Sequence, residues 1–277
     1  MLTQVATRPK KLRSPELGLR SASLIYLLIL IIVPLMVILQ DGFRQGWAGF
    51  WHQVSLPIAR HAVLLTLWTS ALMTMINAIM GLATAYVFVR YQFPGKRILN
   101  AIVDLPLAIP TLVTGVMLVI LYGPQHVVGN FLEQEIGLQV IFAPPGIVLA
   151  LLFITYPFVV RTIQPVLLEL DRTQERAAAS LGAGAWTTFR RVVFPALALP
   201  TLSGSLLSFA RAVGEFGSVV IVAGNIPLRS QTAAVYVMGA VESENRLGAS
   251  AISILLVAIA LSVLLLSNAL RKRWEAR

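Results

Sequence analysis

Few side chains in this sequence could do chemistry, and their spacing assembles no catalytic or metal site. The chain has no cysteine and only three histidines, His52, His61 and His126, which lie far apart. Zinc sites need ligands at short spacings, and no Ser-His-Asp order or G-x-S-x-G turn is present. Residues 95–97, Gly-Lys-Arg, lack the first glycine and the Ser/Thr of a phosphate-binding loop. We therefore expect no enzymatic activity, metal or cofactor.

The remaining candidates are ionisable residues inside apolar segments, where a charge costs roughly 2.5–3.5 kcal/mol and is a functional candidate by default. Arg211 and Glu215 lie four residues apart, so on one helix they share a face and can pair. Two interpretations stay open. The pair is a structural lock between helices, or Arg211 lines the path of an anion while Glu215 limits how tightly the anion is held.

Asp104 is a poor ligand for an anion. We expect it to pair with a basic group or to cap backbone groups freed by Pro106 and Pro110, because proline removes helix hydrogen bonds. The segment around Arg211 is rich in small residues, which leave room for an ion and favour a helix that lines a pore. The candidate residues of a path or gate are Arg211, Gly214, Glu215, Ser208 and Asp104.

The elements that must position these residues are predicted from composition. Of the 277 residues, 57% are hydrophobic and only 12% are charged, against ~25% charged in soluble domains. A spanning helix needs ~20 mostly apolar residues, and six segments qualify. The second and fifth are longer than a perpendicular span needs, so they tilt or extend past the bilayer. The six segments are 22–39, 61–89, 98–122, 146–163, 192–223 and 251–270. The first is too long for a signal peptide and has no cleavage site after it.

Basic residues orient these segments. With the N-terminus inside, residues 1–21, 90–97, 161–191 and 271–277 carry 17 of the 22 Lys and Arg residues, and the outer side carries four. Cytoplasmic loops are enriched in Lys and Arg, so both termini are predicted to be cytoplasmic. The sequence thus predicts an all-α integral membrane protein: a tail (1–21), a transmembrane domain (22–270) and a tail (271–277).

The longest inner connection is 161–191, and within it the loop 171–191 is predicted to form a short helix, a turn and a second short helix. Asp171 or Thr173 can cap the first helix, and Gly182 and Gly184 end it. A helix lying on lipid and a docking site for another protein both fit this pattern. The outer loops, 123–143 and 224–250, likewise fit either solvated loops or a contact with a partner.

The same stretch resembles the permease signature of binding-protein-dependent ABC importers, which is E-A-A, three residues, G, nine residues, then I-x-L-P. Here the frame is residues 176–178, Gly182 and 192–195, with Arg176 in the glutamate position and Glu175 one place earlier. The resemblance implies a type I importer permease fold and a loop that couples to an ATPase. Its implied coupling residues are Glu175, Arg176, Ala177, Ala178, Gly182 and Ala183.

Further segments resemble the sulfate and thiosulfate permeases of the CysT type. They are residues 90–95, 104–111, 156–167 and 221–227, whereas 209–217 is similar to a stretch shared by sulfate, molybdate and tungstate permeases. This resemblance implies a subunit that moves sulfate, or thiosulfate, through a bacterial inner membrane, and a chloroplast envelope fits equally. The implied partners are a CysW-like second permease, a CysA-like ATPase dimer and a periplasmic sulfate-binding protein. Molybdate or tungstate is the alternative substrate, and a stand-alone secondary anion transporter is the rival function.

Overall fold

A computed structural model describes residues 14–275 of the chain, and their side chains from residue 18 to residue 272. The first 13 residues of the predicted N-terminal tail and the last two of the C-terminal tail lie outside the described residues. Within residues 14–275 every regular element is a helix. Five of these helices are long and apolar enough to cross a membrane, and one bent pair could form a sixth span.

The first span is a continuous helix that contains a π-helical turn. It runs as α1 (Ser14–Leu27), the π turn Leu28–Ile32 and α2 (Val33–Gly42). Pro34, two residues after that turn, has no N–H and would clash with the carbonyl four residues earlier. A widened turn accommodates such a residue without ending the helix. The most apolar stretch of this span has no residue buried inside the chain, so the span is an outlying element.

The centre of the molecule is formed by three long helices. They are α4 (Pro57–Arg90), α8 (Pro144–Glu169) and α11 (Phe194–Val213). The most apolar stretch of α8 is 61% buried inside the chain, and its Val159 and Ile163 pack with residues of α4 and α11. At 1.5 Å per residue, the 34 residues of α4 extend about 50 Å, well beyond a ~30 Å hydrocarbon core. The predicted length excess of the second span is therefore confirmed.

The third span is bent, not straight as the continuous segment 98–122 suggests. Helix α5 (Lys96–Ala108) ends before helix α6 (Thr111–Tyr122), and their axes meet at 112°. Pro110 disfavours helical geometry at the residue before it, and Ile109 is extended at φ −82° and ψ 128°. Pro106 lies inside α5 without breaking it. Each half is about 20 Å long, too short to cross the bilayer alone.

The predicted fifth span, 192–223, is wrong at both ends. Its helix begins earlier, at Ala185, passes through a second π turn (Phe189–Val193) before Pro195, and stops at Val213. Residues 214–216 interrupt it, and the separate helix α12 (Gly217–Ala223) follows. The C-terminal part of the predicted span therefore belongs to a separate helix, and the helix Ala185–Val213 is 29 residues long.

The remaining helices complete the bundle. The long helix α14 (Arg246–Glu275) contains the predicted sixth span. It packs on α2, on α11, on α3 (Gly46–Ser55) and on α13 (Ala233–Glu242). Helix α13 is anchored to α4 because the backbone N–H of Ala233 donates to Thr66 Oγ1 at 2.9 Å. The full set of remaining helices is α3 (Gly46–Ser55), α7 (Val127–Gln134), α9 (Arg172–Ser180), α10 (Ala185–Thr188), α13 (Ala233–Glu242) and α14 (Arg246–Glu275).

Candidate coupling hairpin and membrane path

Residues 171–191 form the predicted helix, turn and second helix. We call residues 171–191 the hairpin; they hold α9, the turn, α10 and the start of the π turn that follows it. Asp171 caps α9, because its Oδ1 accepts from the N–H and the hydroxyl of Thr173, both at 2.8 Å. These two hydrogen bonds lower the pKa of the Asp171 carboxyl. Gly182 ends the helix at φ +83°, a left-handed conformation in which a side chain is disfavoured.

Glu175 does not face solvent from the hairpin. Its carboxylate pairs with Arg90, the last residue of α4, at 2.5 Å. The side chains of Arg90 and Glu175 are only 7% and 19% exposed. Arg172 also reaches α4, donating to the carbonyl of Val89 at 3.4 Å. Helix α9 is thus fastened to the end of α4 as well as joined through the chain to α8.

Aromatic side chains make a second contact between the hairpin and α4. The ring of Phe189 lies 5.3 Å from that of Tyr86, edge to face, and stacks on Trp186 at 5.7 Å. Such pairs add about 0.5–1.5 kcal/mol beyond their buried area. The sequence indicated a link from the loop to α8 and α11, but it did not indicate that α4 holds both arms of the hairpin.

The other predicted coupling residues stay near the surface. Arg176, Ala177 and Gly182 are exposed, and Ala178 and Ala183 are half-buried. Glu175 is therefore the one member of the predicted set that is tied into the bundle by a charge.

Arg211 and Glu215 form the predicted ion pair, but they do not share a helix. Arg211 lies in the last turn of α11, and Glu215 lies in the break after it, with Arg211 Nη1 2.8 Å from Glu215 Oε2. Glu215 Oε1 also accepts from the N–H and hydroxyl of Ser218, at 3.0 and 3.1 Å. The Glu215 side chain is 2% exposed and that of Arg211 is 37% exposed. Both oxygens of the Glu215 carboxylate are thus engaged, and the Arg211 guanidinium that it binds is still partly exposed.

Two glycines beside this pair have different surroundings. A Cβ on Gly214 would meet no atom within 4 Å, whereas one on Gly217 would lie 2.1 Å from Thr111 Oγ1. One on Gly115 would lie 2.8 Å from the carbonyl oxygen of Ser218. The backbones of α6 and α12 therefore touch, and the helix starts after the two breaks lie side by side. Gly214 leaves open space, and Gly217 permits close packing.

Ser208 is buried in the core in this conformation. Its hydroxyl donates to the carbonyl of Thr155 at 3.4 Å. A Cβ on Gly204 would lie 3.1 Å from the Cα of Val159. Small residues let helices approach closely, so this face of α11 packs on α8 and lines no open space.

Asp104 pairs with a basic residue, as its chemistry suggested, and that residue is Arg161 of α8. The contact is bidentate, with Nε–Oδ1 at 2.7 Å and Nη2–Oδ2 at 2.5 Å. Arg161 also donates to the carbonyl and side-chain oxygens of Asn100, and Gln164 Nε2 donates to Asn100 Oδ1 at 3.1 Å. Arg161, one of the inner basic residues that orient the chain, is therefore also the partner of Asp104. Asp104 belongs to this α5–α8 cluster and makes no contact with Arg211.

Within residues 14–275, no group of three His, Asp or Glu side chains is placed to hold a metal ion. The bundle is therefore that of a multi-pass helical membrane protein. Its third span is broken, and the hairpin is fastened to the bundle. Residues 77–276 match the family model described as binding-protein-dependent transport system inner membrane component. The chain belongs to this family, whose members are transport components.

Curated relatives cover most of the chain. It is 43% identical over 242 residues to a probable sulfate transport system permease protein cysT from Chlorokybus atmophyticus, covering 87% of this chain and 84% of the relative. It is 42% identical over 255 residues to the sulfate transport system permease protein CysT of Synechocystis sp., covering 92% and 88%. These two matches agree with the CysT-type resemblance of the sequence.

Solved structures agree on the fold. A chain of a bacterial alginate ABC transporter in complex with an alginate-bound periplasmic protein has a TM-score of 0.76 at 19% identity, covering 92% of this chain and 93% of that one. A chain of an amino acid ABC transporter has a TM-score of 0.55 at 19% identity, covering 78% and 94%. The fold is that of an ABC importer permease, as predicted.

Proposed function

We propose that the chain is the permease subunit of an ABC importer for sulfate, and that a partner ATPase hydrolyses the ATP. The observation that carries the proposal is the identity above 40% to two sulfate permeases along more than four-fifths of their length. The bulk of Lys and Arg in 1–21, 90–97, 161–191 and 271–277 supports cytoplasmic termini and a cytoplasmic hairpin. The relatives come from bacterial and plastid genomes, so a bacterial inner membrane and a chloroplast envelope both fit.

The partners follow from this proposal. An importer of this family needs an ATPase dimer and a binding protein, and the CysT likeness adds a CysW-like second permease. ATP binding would move the hairpin, which is fastened to α4 by Arg90 and Glu175 and continues into α11. The pore would then open alternately to the two sides of the membrane. Thiosulfate is a further substrate to be tested.

The anion path is proposed to run past Arg211 and Gly214. A divalent oxyanion in a medium of low dielectric needs a nearby cation. The Arg211 side chain is 37% exposed and sits beside the open space at Gly214. Because Glu215 binds one end of Arg211, an anion must compete with a carboxylate there, which favours passage over tight binding.

The proposal is tested by measuring ATP hydrolysis in lipid by the complex that co-purifies with this chain. Binding protein loaded with sulfate should stimulate hydrolysis and binding protein loaded with molybdate should not. Stimulation by molybdate alone would keep the fold and mechanism and overturn the substrate. If no ATPase co-purified under mild extraction, the stand-alone transporter would become the better interpretation.

The role of Arg211 needs a separate variant pair. Arg211→Gln alone leaves Glu215 buried without its partner, so the double variant Arg211→Gln/Glu215→Gln is the informative one. If Arg211 lines the path, the double variant assembles but transports sulfate at least tenfold more slowly. If the pair is only a structural lock, the double variant loses thermal stability or assembly, and the fraction that does assemble transports sulfate at the wild-type rate. Arg60→Gln, an exposed arginine in the first turn of α4, is the matched control.

A further inference from the structure

We propose that α3 is a lipid-binding helix whose tryptophans lie among the headgroups of the outer leaflet and anchor the outer end of the first span. This inference goes beyond the transport function and does not depend on the substrate. It follows from the stacking and exposure of the aromatic side chains, from the helix ends beside them, and from the apolar surface that they continue.

Three aromatic rings stack where the first span meets α3. The ring of Phe43 lies 5.5 Å from that of Trp47 and 4.7 Å from that of Phe50, and the rings of Trp47 and Phe50 are 5.5 Å apart. Phe50 is 5% exposed, whereas Trp47 is 69% exposed. The stack therefore begins in the packed bundle and ends on its surface.

Helix α3 has three different sides. Its ten residues include no Lys, Arg, Asp or Glu. Phe50 and Val54, four residues apart, pack toward the bundle. Trp47 and Trp51 are also four residues apart, so they share a face, and Trp51 is 58% exposed. His52 is exposed as well and lies about 100° round the helix from Trp51. The bundle thus holds one side, two open indole rings occupy the next, and the third is polar.

The helix ends beside α3 place it at a membrane–water boundary. The first span ends at Gly42, four residues before α3 begins. A Cβ on Gly42 would lie 2.4 Å from Cδ1 of Ile254, so this end packs against α14 about two turns after α14 begins. Charges are costly in hydrocarbon, and a recess beside these helix ends is lined by charged and amide side chains. They are Asp41, Arg44, Gln45, Glu244, Asn245 and Arg246.

Lipid suits the tryptophan face better than water or a partner protein. Met36, Leu39 and Phe43 follow each other at helical spacings of three and four residues, so the exposed apolar surface of the first span leads directly to the aromatic stack. Tryptophan is enriched where hydrocarbon meets headgroups, because its ring is apolar and its N–H is polar. Two such side chains bury at most about 500 Å², below the ~800 Å² per side of a stable protein interface.

The test uses the absence of cysteine from the chain, since one introduced cysteine then carries a fluorophore at one chosen position. Trp51→Cys is labelled, and the complex that co-purifies with it is reconstituted in lipid. A nitroxide near the headgroup end of the acyl chains should quench this probe at least twofold more than a nitroxide near their far end. Ile29→Cys, in the middle of the first span and 58% exposed, is the depth control and should show the opposite order.

His52→Cys is the matched control on the same helix, and iodide in the water should quench it at least twofold more than position 51. Equal quenching of positions 51 and 52 by iodide would show that the tryptophan face lies in water and would overturn the proposal. Protection of position 51 from iodide and from both nitroxides would mean that another subunit covers it, and stronger quenching by the deep nitroxide would mean that α3 lies in the hydrocarbon. Either result would also overturn it.

ATP hydrolysis keeps this test apart from the proposed function. Each labelled complex should keep the stimulation by sulfate-loaded binding protein within twofold of wild type, because α3 is not placed on the anion path. Trp47→Cys takes the place of Trp51→Cys if the latter fails to assemble. A wild-type complex without stimulation by sulfate would overturn the proposed function and leave the lipid-binding helix standing.

Discussion

The Arg90–Glu175 contact gives the sharpest prediction, because a single atom change separates its charge from its shape. Glu175→Gln keeps the size of the side chain and removes the negative charge, leaving the guanidinium of Arg90 buried without its partner. Breaking a buried pair in this way costs about 3–5 kcal/mol. Glu175 keeps 19% of its side chain exposed, so water can reach part of the site, and we expect about 2–3 kcal/mol.

The expected effect is local. The loss should loosen α9 from α4 without unfolding the bundle, because the core around Val159 and Ile163 does not include Glu175. At 1.4 kcal/mol per factor of ten, the open population of α9 rises about 30- to 150-fold. Hydrogen exchange of the α9 backbone amides in lipid should accelerate by that factor, while exchange in the middle of α8 stays unchanged.

A double-mutant cycle separates the pair from general damage. Glu175→Met combined with Arg90→Met should destabilise the contact less than the sum of the single changes, because apolar side chains can replace a buried pair. Glu169→Gln, at the exposed end of α8, is the control and should change exchange less than threefold. An equally small change for Glu175→Gln would refute the claim that this pair fastens the hairpin.

Three further perturbations have defined outcomes. Asp104→Ala leaves Arg161 with two hydrogen bonds fewer in a cluster that is part-buried, so the melting temperature in detergent should fall, and the added change Arg161→Met should restore part of it. Asp171→Ala removes the cap of α9 and should lower the stability of that helix, so hydrogen exchange of the α9 amides should accelerate, whereas Asp171→Asn should retain most of the protection. Because the folded-state pKa of Asp171 is lowered, its ionised cap stabilises α9 above the unfolded pKa of ~3.9 and is lost as pH falls through the folded value, so exchange in α9 should accelerate only below about pH 4. Gly217→Val places side-chain atoms where Thr111 Oγ1 already lies and should abolish assembly, while Gly214→Ala, with open space around it, should assemble normally by size-exclusion chromatography.

The sequence predicted the extent of the spans better than their shape. Segments 61–89 and 146–163 lie inside α4 and α8 because apolar length is the property that a bilayer demands. The two breaks were hidden in the same apolar runs. Pro106 and Pro110 look alike in sequence, yet Pro106 lies inside α5 and only Pro110 follows an extended residue, Ile109, where the helix ends.

The candidate site was only partly predictable for a related reason. Arg211 and Glu215 are close in sequence, so their pairing could be read from spacing even though the helix between them ends. Arg161 and Asp104 are 57 positions apart, and Glu175 and Arg90 are 85 apart, by subtraction of their numbers. No periodicity links such distant residues, so only the packed bundle reveals that Arg161 pairs with Asp104.

The bidentate contact between Arg161 and Asp104 also has a consequence for synthesis. A ribosome makes Asp104 well before Arg161, so the third span reaches the insertion machinery carrying an unpaired acid and two short half-helices. Neither half can cross ~30 Å of hydrocarbon alone. The third span should therefore settle in the bilayer only after α8 has been made. In nascent chains that stop before residue 161, a glycosylation tag placed after Tyr122 should remain on the side of the membrane where synthesis began.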